Sequence, residues 1–450
     1  MIKCLFISRE ADSLDLSLRM QHEGAKVATY VKDKTWGPDV YKGIINFSKT
    51  WSDKIPGSDF VFFDSNSDLS LIKRAVWESK KPAVGICHTR KPITICGKTV
   101  QPWDFPLETE VDRKWGHKLL EHFKIGNAMP FTEFKNIAEA SKFVKENPKA
   151  YVLKVEGSAD SDLTYVGITE DGEDIIKYLD TLPDRKTDLK GIKNIILEEK
   201  KNGIEIATSG YFNGKDFYGI DVNFEHKLFS DGNENDGFKG KGFNTGEQGT
   251  VVRLVSSHKL FTDTVAKMGD FLKTIDFRGQ IDINGILDKD GNFWPVEFTI
   301  RPGVPAFMIE MEFERKWSEF LFAIANGEKT EVEPSDDFAL GVVLAGQGYP
   351  FYEDVGSKKS FMLPVIGVTV EKLKHLHFLH VLLKNENIFT MNAYIGCATG
   401  KGKTIEEARN MVYNNVLDGV KIPGLFYRTD IGKRVELQMA ELEKLGYGFV

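Results

Sequence analysis

Cysteine is scarce: four in 450 residues, at Cys4, Cys87, Cys96 and Cys397. So few, so scattered, cannot build a disulfide framework, and a reducing cytoplasm is the expected compartment. Basic charge is also short. Lys and Arg number 59 against 66 Asp and Glu, a formal net charge of −7. A chain whose main task is to coat nucleic acid usually presents a basic surface, so stable nucleic-acid binding is not expected. Long apolar runs are missing too: none reaches the roughly 18 residues of a membrane span, so no membrane partner is expected. The apolar start from Ile2 to Ile7 is too short for a signal peptide and reads as a strand. There is no internal repeat and no low-complexity segment. What remains is 41% hydrophobic and 28% charged residues, the balance of a soluble globular protein. Such a length suits about three domains and can bury large cores without metal or disulfide staples.

The first hundred residues alternate strand and helix. Ile2–Ile7, Lys26–Val31, Asp59–Phe63 and Ala83–Ile86 read as strands, with helical spacing over Leu14–His22 and Leu69–Trp77. Strands separated by helices imply parallel pairing, and functional loops then follow the strand ends. Those loops carry Arg9, then Ser65, Asn66 and Ser67, then Cys87, His88 and Arg90. The first is not glycine-rich, so a dinucleotide fingerprint is absent. A boundary is expected near Pro102–Pro106. Further helices are expected at Asp112–Phe123, Leu260–Ile275, Glu314–Asn326 and Ile405–Val416. Lys227–Gly249 reads as a glycine-rich loop, and Gly279–Leu287 with Phe293–Thr299 as a hairpin across Asp288-Lys289-Asp290-Gly291. The fold class is therefore α/β: an N-terminal parallel-sheet domain (1–105), a central α+β domain (106–330, with a small subdomain at about 120–195) and a small C-terminal α+β domain (331–450).

The hairpin carries the densest chemistry. Polar residues alternate with apolar ones, so one face collects Asp282 or Asn284, Glu297, Thr299 and Arg301. Oxygen ligands at this density suit Mg²⁺, which binds through a few carboxylates plus substrate phosphates. An arginine beside them can stabilise phosphoryl charge. The bland alternative is a solvated face with an ion pair. A second constellation, Glu198-Glu199-Lys200-Lys201-Asn202-Gly203-Ile204-Glu205, ends a strand and returns a carboxylate after a glycine. A strand edge can bind an adenine edge and a carboxylate can hold ribose hydroxyls; a charged turn is the competing reading. Lys114 and Lys118, one helical turn apart, and Lys154 at a strand end offer point charges for phosphates. His375, His377 and His380 read as the polar face of a strand rather than a metal site. A Cys87–His88 nucleophile pair is less favoured than a substrate-contact loop.

Together, and in this order, these pieces resemble the ATP-grasp ligases, specifically the glycinamide ribonucleotide synthetase (phosphoribosylamine–glycine ligase) family. The similarity runs from about Glu108 to Gly432. It rests on Lys114 and Lys118, Val152-Leu153-Lys154-Val155-Glu156-Gly157, Glu198-Glu199 with Gly203 and Glu205, and His226-Lys227 with Asn244-Thr245-Gly246-Glu247-Gln248-Gly249. It continues through Glu297-Phe298-Thr299-Ile300-Arg301, Gly348-Tyr349-Pro350, Gly402-Lys403-Thr404-Ile405-Glu406-Glu407-Ala408 and Tyr427-Arg428-Thr429-Asp430-Ile431-Gly432. Each match alone is weak, and the ordered set is strong.

The resemblance implies an ATP-grasp fold with ATP and Mg²⁺ (or Mn²⁺) as cofactors. Lys114, Lys154 and Glu156 would lie at the nucleotide, with adenine on the backbone after Glu198 and Glu199 and ribose on Glu205. Glu297 would hold the metal, with Asp282, Asn284 and Thr299 as further ligands, and Arg301 would act beside it. Arg9, Ser65, Asn66, Ser67, Arg90, Asn244, Thr245 and Gly246 would face the substrates, an amino acid such as glycine and an amine acceptor. The γ-phosphate would pass to a carboxylate, and the amine would attack the acyl phosphate. A monomer or homodimer is expected. The chain departs from the family in its N-terminal loops, in Ser158-Ala159-Asp160-Ser161-Asp162 where a glycine loop is usual, in Thr299 for Asn, and in Arg301-Pro302-Gly303-Val304-Pro305 for Arg-x-Gly-Asp-Pro. The ATP half is thus recognisable and the acceptor half is not. A different amine acceptor, such as a modified nucleoside or nucleotide, is the second reading; a non-catalytic ATP-binding relative is the third.

Overall fold

A computed structural model describes residues 1–33, 39–157, 164–181, 192–350 and 362–449. The chain opens with β1 (Lys3–Ser8), α1 (Leu14–His22), β2 (Lys26–Val31), β3 (Phe60–Phe63), α2 (Ser70–Glu78) and β4 (Ala83–Val84). These four strands form one parallel sheet in the order β2-β1-β3-β4. The apolar runs Cys4–Ile7 and Phe60–Phe63 are fully buried on both faces, as parallel strands covered by helices require. β5 (Ile86–Cys87) leaves this sheet, and the short hairpin β6 (Ile93–Ile95) and β7 (Lys98–Val100) leads to α3 (Phe105–Val111) and α4 (Arg113–His122). Asp112 caps α4 by accepting from the Trp115 amide.

A small antiparallel sheet follows: β8 (Phe131–Phe134), α5 (Ile137–Glu146), β9 (Tyr151–Gly157), β10 (Tyr165–Val166), α6 (Glu173–Thr181) and β11 (Ile192–Glu199), in the strand order β10-β9-β11-β8. It has its own core, in which Val144, Leu153, Ile175 and Leu197 meet.

The large sheet begins with β12 (Ile204–Asn213), β13 (Phe217–Ser230) and β14 (Lys241–Val255). Then come α7 (Lys259–Asp263), α8 (Gly269–Thr274), β15 (Phe277–Leu287), β16 (Phe293–Thr299), α9 (Ala306–Glu310), α10 (Trp317–Asn326) and β17 (Phe338–Ala345). A three-stranded sheet is made by β18 (Pro364–Val365), β20 (Val381–Lys384) and β21 (Asn387–Thr390), with β19 (Leu376–Phe378) between them in the chain. β22 (Tyr394–Gly402), α11 (Ile405–Asn410) and α12 (Lys433–Lys444) close the fold. The large sheet runs β16-β15-β12-β13-β14-β17-β22-β19, with β5 added beside β15. It therefore continues without a break from the hairpin into the C-terminal strands.

Three local expectations need correction. Lys227–Gly249 is loop only over 231–240, its two ends being strand. β13 and β14 pair across it, with Leu228 opposite Asn244 and Ser230 opposite Lys241, and bulges absorb the irregular register. One of its glycines serves packing: a Cβ on Gly249 would stand 2.6 Å from the Gly341 carbonyl of β17. Leu260–Ile275 is not one helix. Thr264 leaves helical geometry (φ −129°, ψ −96°) and its hydroxyl donates to the Leu260 carbonyl, so α7 and α8 are joined by a 3₁₀ turn. Beyond Ile405–Asn410 the helix widens into a π-helical turn over Met411–Val416, and α12 adds a second C-terminal helix. Of the unusual loop at Ser158–Asp162, all five residues lie outside the described set.

Candidate active site

Side chains alternate across a strand, so a period of two on β13 puts Asp221, Asn223, Glu225 and Lys227 on one face. On β15 the same face holds Gln280, Asp282 and Asn284. The hairpin register sets Asn284 opposite Glu297 and Asp282 opposite Thr299. Ser209 of β12 stands opposite both Asp282 and Asp221. A cavity of about 320 Å³ opens over these strands. It is lined by Glu297, Thr299, Arg301 and Asp282 from the expected set, and by Glu225, Lys227, Glu247, Asn223, Ser209 and Gln280 beside them.

Charge at this cavity is unbalanced. The Lys227 ammonium lies 2.9 Å from Glu225, 3.5 Å from Glu205 and 3.9 Å from Glu297. Burial works to lower its pKa, but those three carboxylates outweigh burial and hold it well above the usual range. Burial raises Glu297, and Lys227, Arg113 and Lys154 more than offset this, so its carboxylate titrates below the ordinary value. Asp282 goes the other way. Burial, with Glu225 and Asp221 nearby, pushes it well above the carboxylate range. Burial raises Glu225 and Glu247 as well, reinforced by carboxylate neighbours. Raised carboxylates crowded on one wall are a site that gains from a cation. Among the described residues no three of His, Cys, Asp and Glu are arranged to hold a metal ion. A cation here would thus use one or two carboxylates and complete its shell from phosphate oxygens and water, the habit of Mg²⁺.

The other expected nucleotide residues divide into two groups. Lys154 and Glu198 form a buried pair across β9 and β11, N to O 2.7 Å, with His117 3.6 Å from the same carboxylate. Burial raises Glu198, yet Lys154 and His117 bring it down to about 2. Glu205 faces Lys227 and, at 4.0 Å, Arg434 of α12. Lys114 and Glu199 turn elsewhere: Lys114 bonds Glu133 at 3.0 Å, and Glu199 receives Lys149 at 2.6 Å and Lys201 at 3.2 Å. Asn284 is buried and donates to Glu225 at 2.6 Å. Glu156 is the last residue but one of β9, opposite Asn194.

The expected substrate residues are similarly split. Gly246 lines the cavity, and the Thr245 hydroxyl donates to the Lys227 carbonyl at 2.7 Å. Asn244 stands opposite Leu228 at the strand pair. Asn66 is buried, donates to the Ile300 carbonyl at 3.0 Å and accepts from Lys73 at 2.6 Å, tying the loop after β3 to the end of β16. Ser65 is half-buried beside Asp64, and Ser67 is half-buried on the same loop. Arg9 pairs with Glu10 at 2.8 Å and Asp68 at 3.4 Å. Arg90 is exposed, lies over the Trp77 ring at 4.7 Å and donates to the Trp77 carbonyl, and it does not line the cavity. The three histidines take separate partners: His375 meets Glu312, His377 meets Asp15 and Thr399, and His380 meets the Glu10 carbonyl. Cys87 is buried with its thiol pushed up by burial, and His88 is held near 4 by burial and Arg278, so neither suits nucleophilic catalysis.

Residues 111–291 match the family model of the phosphoribosylglycinamide synthetase ATP-grasp (A) domain, and 339–434 match that family's C domain. The chain is an ATP-grasp ligase of the phosphoribosylglycinamide synthetase type. A phosphoribosylamine–glycine ligase of Listeria innocua is 25% identical over 336 residues, covering 73% of this chain and 76% of the relative. One from Vibrio vulnificus is 26% identical over 315 residues, covering 68% and 70%. In fold, the ligase is similar to the phosphoribosylamine–glycine ligase of Thermotoga maritima (TM-score 0.68, 20% identity, 95% of this chain and 100% of that one). It is also similar to an L-amino acid ligase of Bacillus licheniformis (TM-score 0.56, 13% identity, 95% and 99%). No helix among the described residues is long and apolar enough to cross a membrane.

Sequence reasoning placed the hairpin residues and left out Glu225, Asn223, Ser209 and Gln280. Lys227 entered only as part of a motif. The signal was available: Asp221, Asn223, Glu225 and Lys227 have period two, but the segment from Lys227 onward read as loop and hid the ladder.

Proposed function

We propose that this ligase joins a carboxylic acid to an amine at the cost of ATP, through an acyl phosphate, with phosphoribosylamine and glycine as the named candidate substrates. The observation that carries the reading is the cavity over β13, β15 and β16, where Glu297 and Asp282 share one wall with Lys227 and Arg301. A carboxylate is a poor electrophile. Phosphorylation supplies a leaving group, and the amine nitrogen then displaces phosphate to form the amide. Mg²⁺, held by Glu297 with Asp282 and Thr299 beside it, would supply charge neutralisation and an anchor for the triphosphate. Lys154, 5% exposed at its side chain, would bind phosphate from the small-sheet side. Glu205 and the backbone after Glu198 would border the nucleoside. Arg301, 3.8 Å from Glu110, would orient the reacting carboxylate or the transferring phosphoryl group.

A second reading, a different amine acceptor, rests on the loops after β1 and β3. Glu10, Asp12, Asp64 and Asp68 gather there against Arg9 and Lys32, a poor setting for a phosphorylated acceptor. ADP release with Mg²⁺-ATP and glycine, with and without fresh phosphoribosylamine, separates the two. Dependence on both substrates supports the named pair. Dependence on glycine and some other amine supports the second. No release with any acid and amine would overturn both.

A further inference from the structure

Beyond Thr299 the ladder of the large sheet stops. Asp282 opposite Thr299 is the last pair of the β15–β16 hairpin at that end, and Arg301 stands two residues past it. Strand pairing therefore does not place the arginine, and the backbone groups there need other partners. Side chains supply them. The Ile300 amide donates to Glu110 of α3 at 2.6 Å, and the Ile300 carbonyl accepts from the Asn66 amide at 3.0 Å. The same Glu110 oxygen lies 3.8 Å from the Arg301 guanidinium. Both backbone groups of the residue before Arg301 are thus held from outside the hairpin. Glu110 and Arg301 line the cavity, whereas Ile300 and Asn66 are buried away from it.

Asn66 is itself locked in one orientation. Its carbonyl oxygen accepts from the Lys73 ammonium of α2 at 2.6 Å, and Lys73 also donates to the Gly85 carbonyl at 3.1 Å. An ammonium only donates and a backbone carbonyl only accepts, so the Asn66 amide cannot turn over without losing both of its bonds. Lys73 is 1% exposed and its hydrogen-bond partners are these two neutral oxygens. Burial pulls its pKa down to about 8, against the opposing pull of Glu110, Asp104, Cys87 and Asp64. A buried ammonium is a costly way to hold an amide, but a strong one. Its charge strengthens the bond to the Asn66 oxygen and polarises the amide, so the N–H side grips the Ile300 carbonyl more firmly.

We propose that Lys73 and Asn66 are positioning residues for Arg301: through the Ile300 carbonyl they fix where the guanidinium meets the reacting group. The N-terminal sheet, which carries both residues, then sets the geometry of the activation step. Asn66 acts on the reaction without touching substrate, unlike the role expected for it from its loop. The effect is on rate rather than on nucleotide binding, because a group displaced by about 1 Å from a reacting centre can cost about 100-fold in turnover.

This inference rests on the ligase reading and on the place it gives Arg301, and the test keeps the three apart. ADP release is followed with Mg²⁺-ATP, glycine and fresh phosphoribosylamine, or with the acid and amine that the substrate test above selects. Asn66→Asp keeps an acceptor for Lys73, now as an ion pair, and turns an oxygen toward the Ile300 carbonyl in place of the donor. The expected result is kcat at least about tenfold lower, with KM for ATP and the melting temperature near wild type. Arg301→Met should also lower kcat. Adding Asn66→Asp to it should change the rate by less than about twofold, because the group being positioned is gone. A merely structural role would lower the rate by the same factor in both backgrounds. Should Asn66→Asp not fold, Lys73→Met, which frees the Asn66 amide to turn over, runs the same cycle. Wild-type kcat in the folded variant, or an equal loss with and without Arg301, overturns the positioning role. Wild-type kcat in Arg301→Met overturns the place given to Arg301 and this inference with it, and leaves the ligase standing. No ADP release from the unaltered protein with any acid and amine overturns all three.

Discussion

Removing one partner of the Lys154–Glu198 pair gives the most quantitative test of the electrostatics. The carboxylate falls from 4.5 to about 2 on folding. At about 1.4 kcal/mol per unit, that is about 3 kcal/mol favouring the ionised, paired form. The pair is buried, with side chains 5% and 4% exposed, so solvent screening takes little from it. Lys154→Met leaves a buried carboxylate facing only His117 and should cost about 3–5 kcal/mol, toward the lower figure because His117 remains. Glu198→Gln and the double variant complete a cycle, and the double variant should cost clearly less than the sum of the singles. The local readout is amide hydrogen exchange at Leu153 and Leu197, which share the small sheet's core. The pH dependence has a fixed sign. A depressed carboxylate contributes fully above pH 4.5 and loses its contribution as pH falls through about 2. Coupling below about 0.5 kcal/mol at pH 7, or coupling that survives undiminished at pH 2, would refute the reasoning.

Three further outcomes are expected. Glu297→Gln should lower ADP release at least about 100-fold while circular dichroism and melting stay near wild type, because the residue faces the cavity rather than the core. Asp64→Asn should raise the melting temperature at pH 8 and leave it unchanged at pH 4. Burial, aided by Asp12, raises Asp64 to about 7, so its ionisation costs native stability progressively as pH climbs from about 4 to 7, by up to about 4 kcal/mol. Arg428→Met should destabilise the fold by about 3–5 kcal/mol in urea titration. Arg428 is fully buried, holds Asp430 at 2.7 and 2.8 Å and caps the Leu228 carbonyl at 2.9 Å, and methionine supplies none of these donors.

What the sequence made legible follows from periodicity. The parallel sheet was readable because Cys4–Ile7 and Phe60–Phe63 are continuous apolar runs separated by helical spacing. The hairpin was readable because Asp288–Gly291 is turn chemistry between two alternating strands. The β13–β14 pair was not. Ile220, Val222 and Phe224 alternate with Asp221, Asn223 and Glu225, but the polar, glycine-rich run from Lys227 onward masked the continuation of that strand and its pairing. Among its glycines, which read as loop, Gly249 answers close strand packing. Thr264 broke a helix whose apolar spacing was sound, since a hydroxyl competing for the backbone leaves no periodic trace. Single lysines are placed by neither kind of pattern: Lys154 is deeply paired and Lys114 is half-exposed beside Glu133, though both follow equally plausible motifs.

The central claim is that a carboxylate is phosphorylated before the amide forms. The direct measurement is turnover with an amino acid carrying ¹⁸O in its carboxyl group, followed by mass analysis of the inorganic phosphate released. An acyl phosphate transfers one labelled oxygen to each phosphate, and the account predicts singly labelled phosphate in step with ADP. Unlabelled phosphate released alongside amide would contradict it.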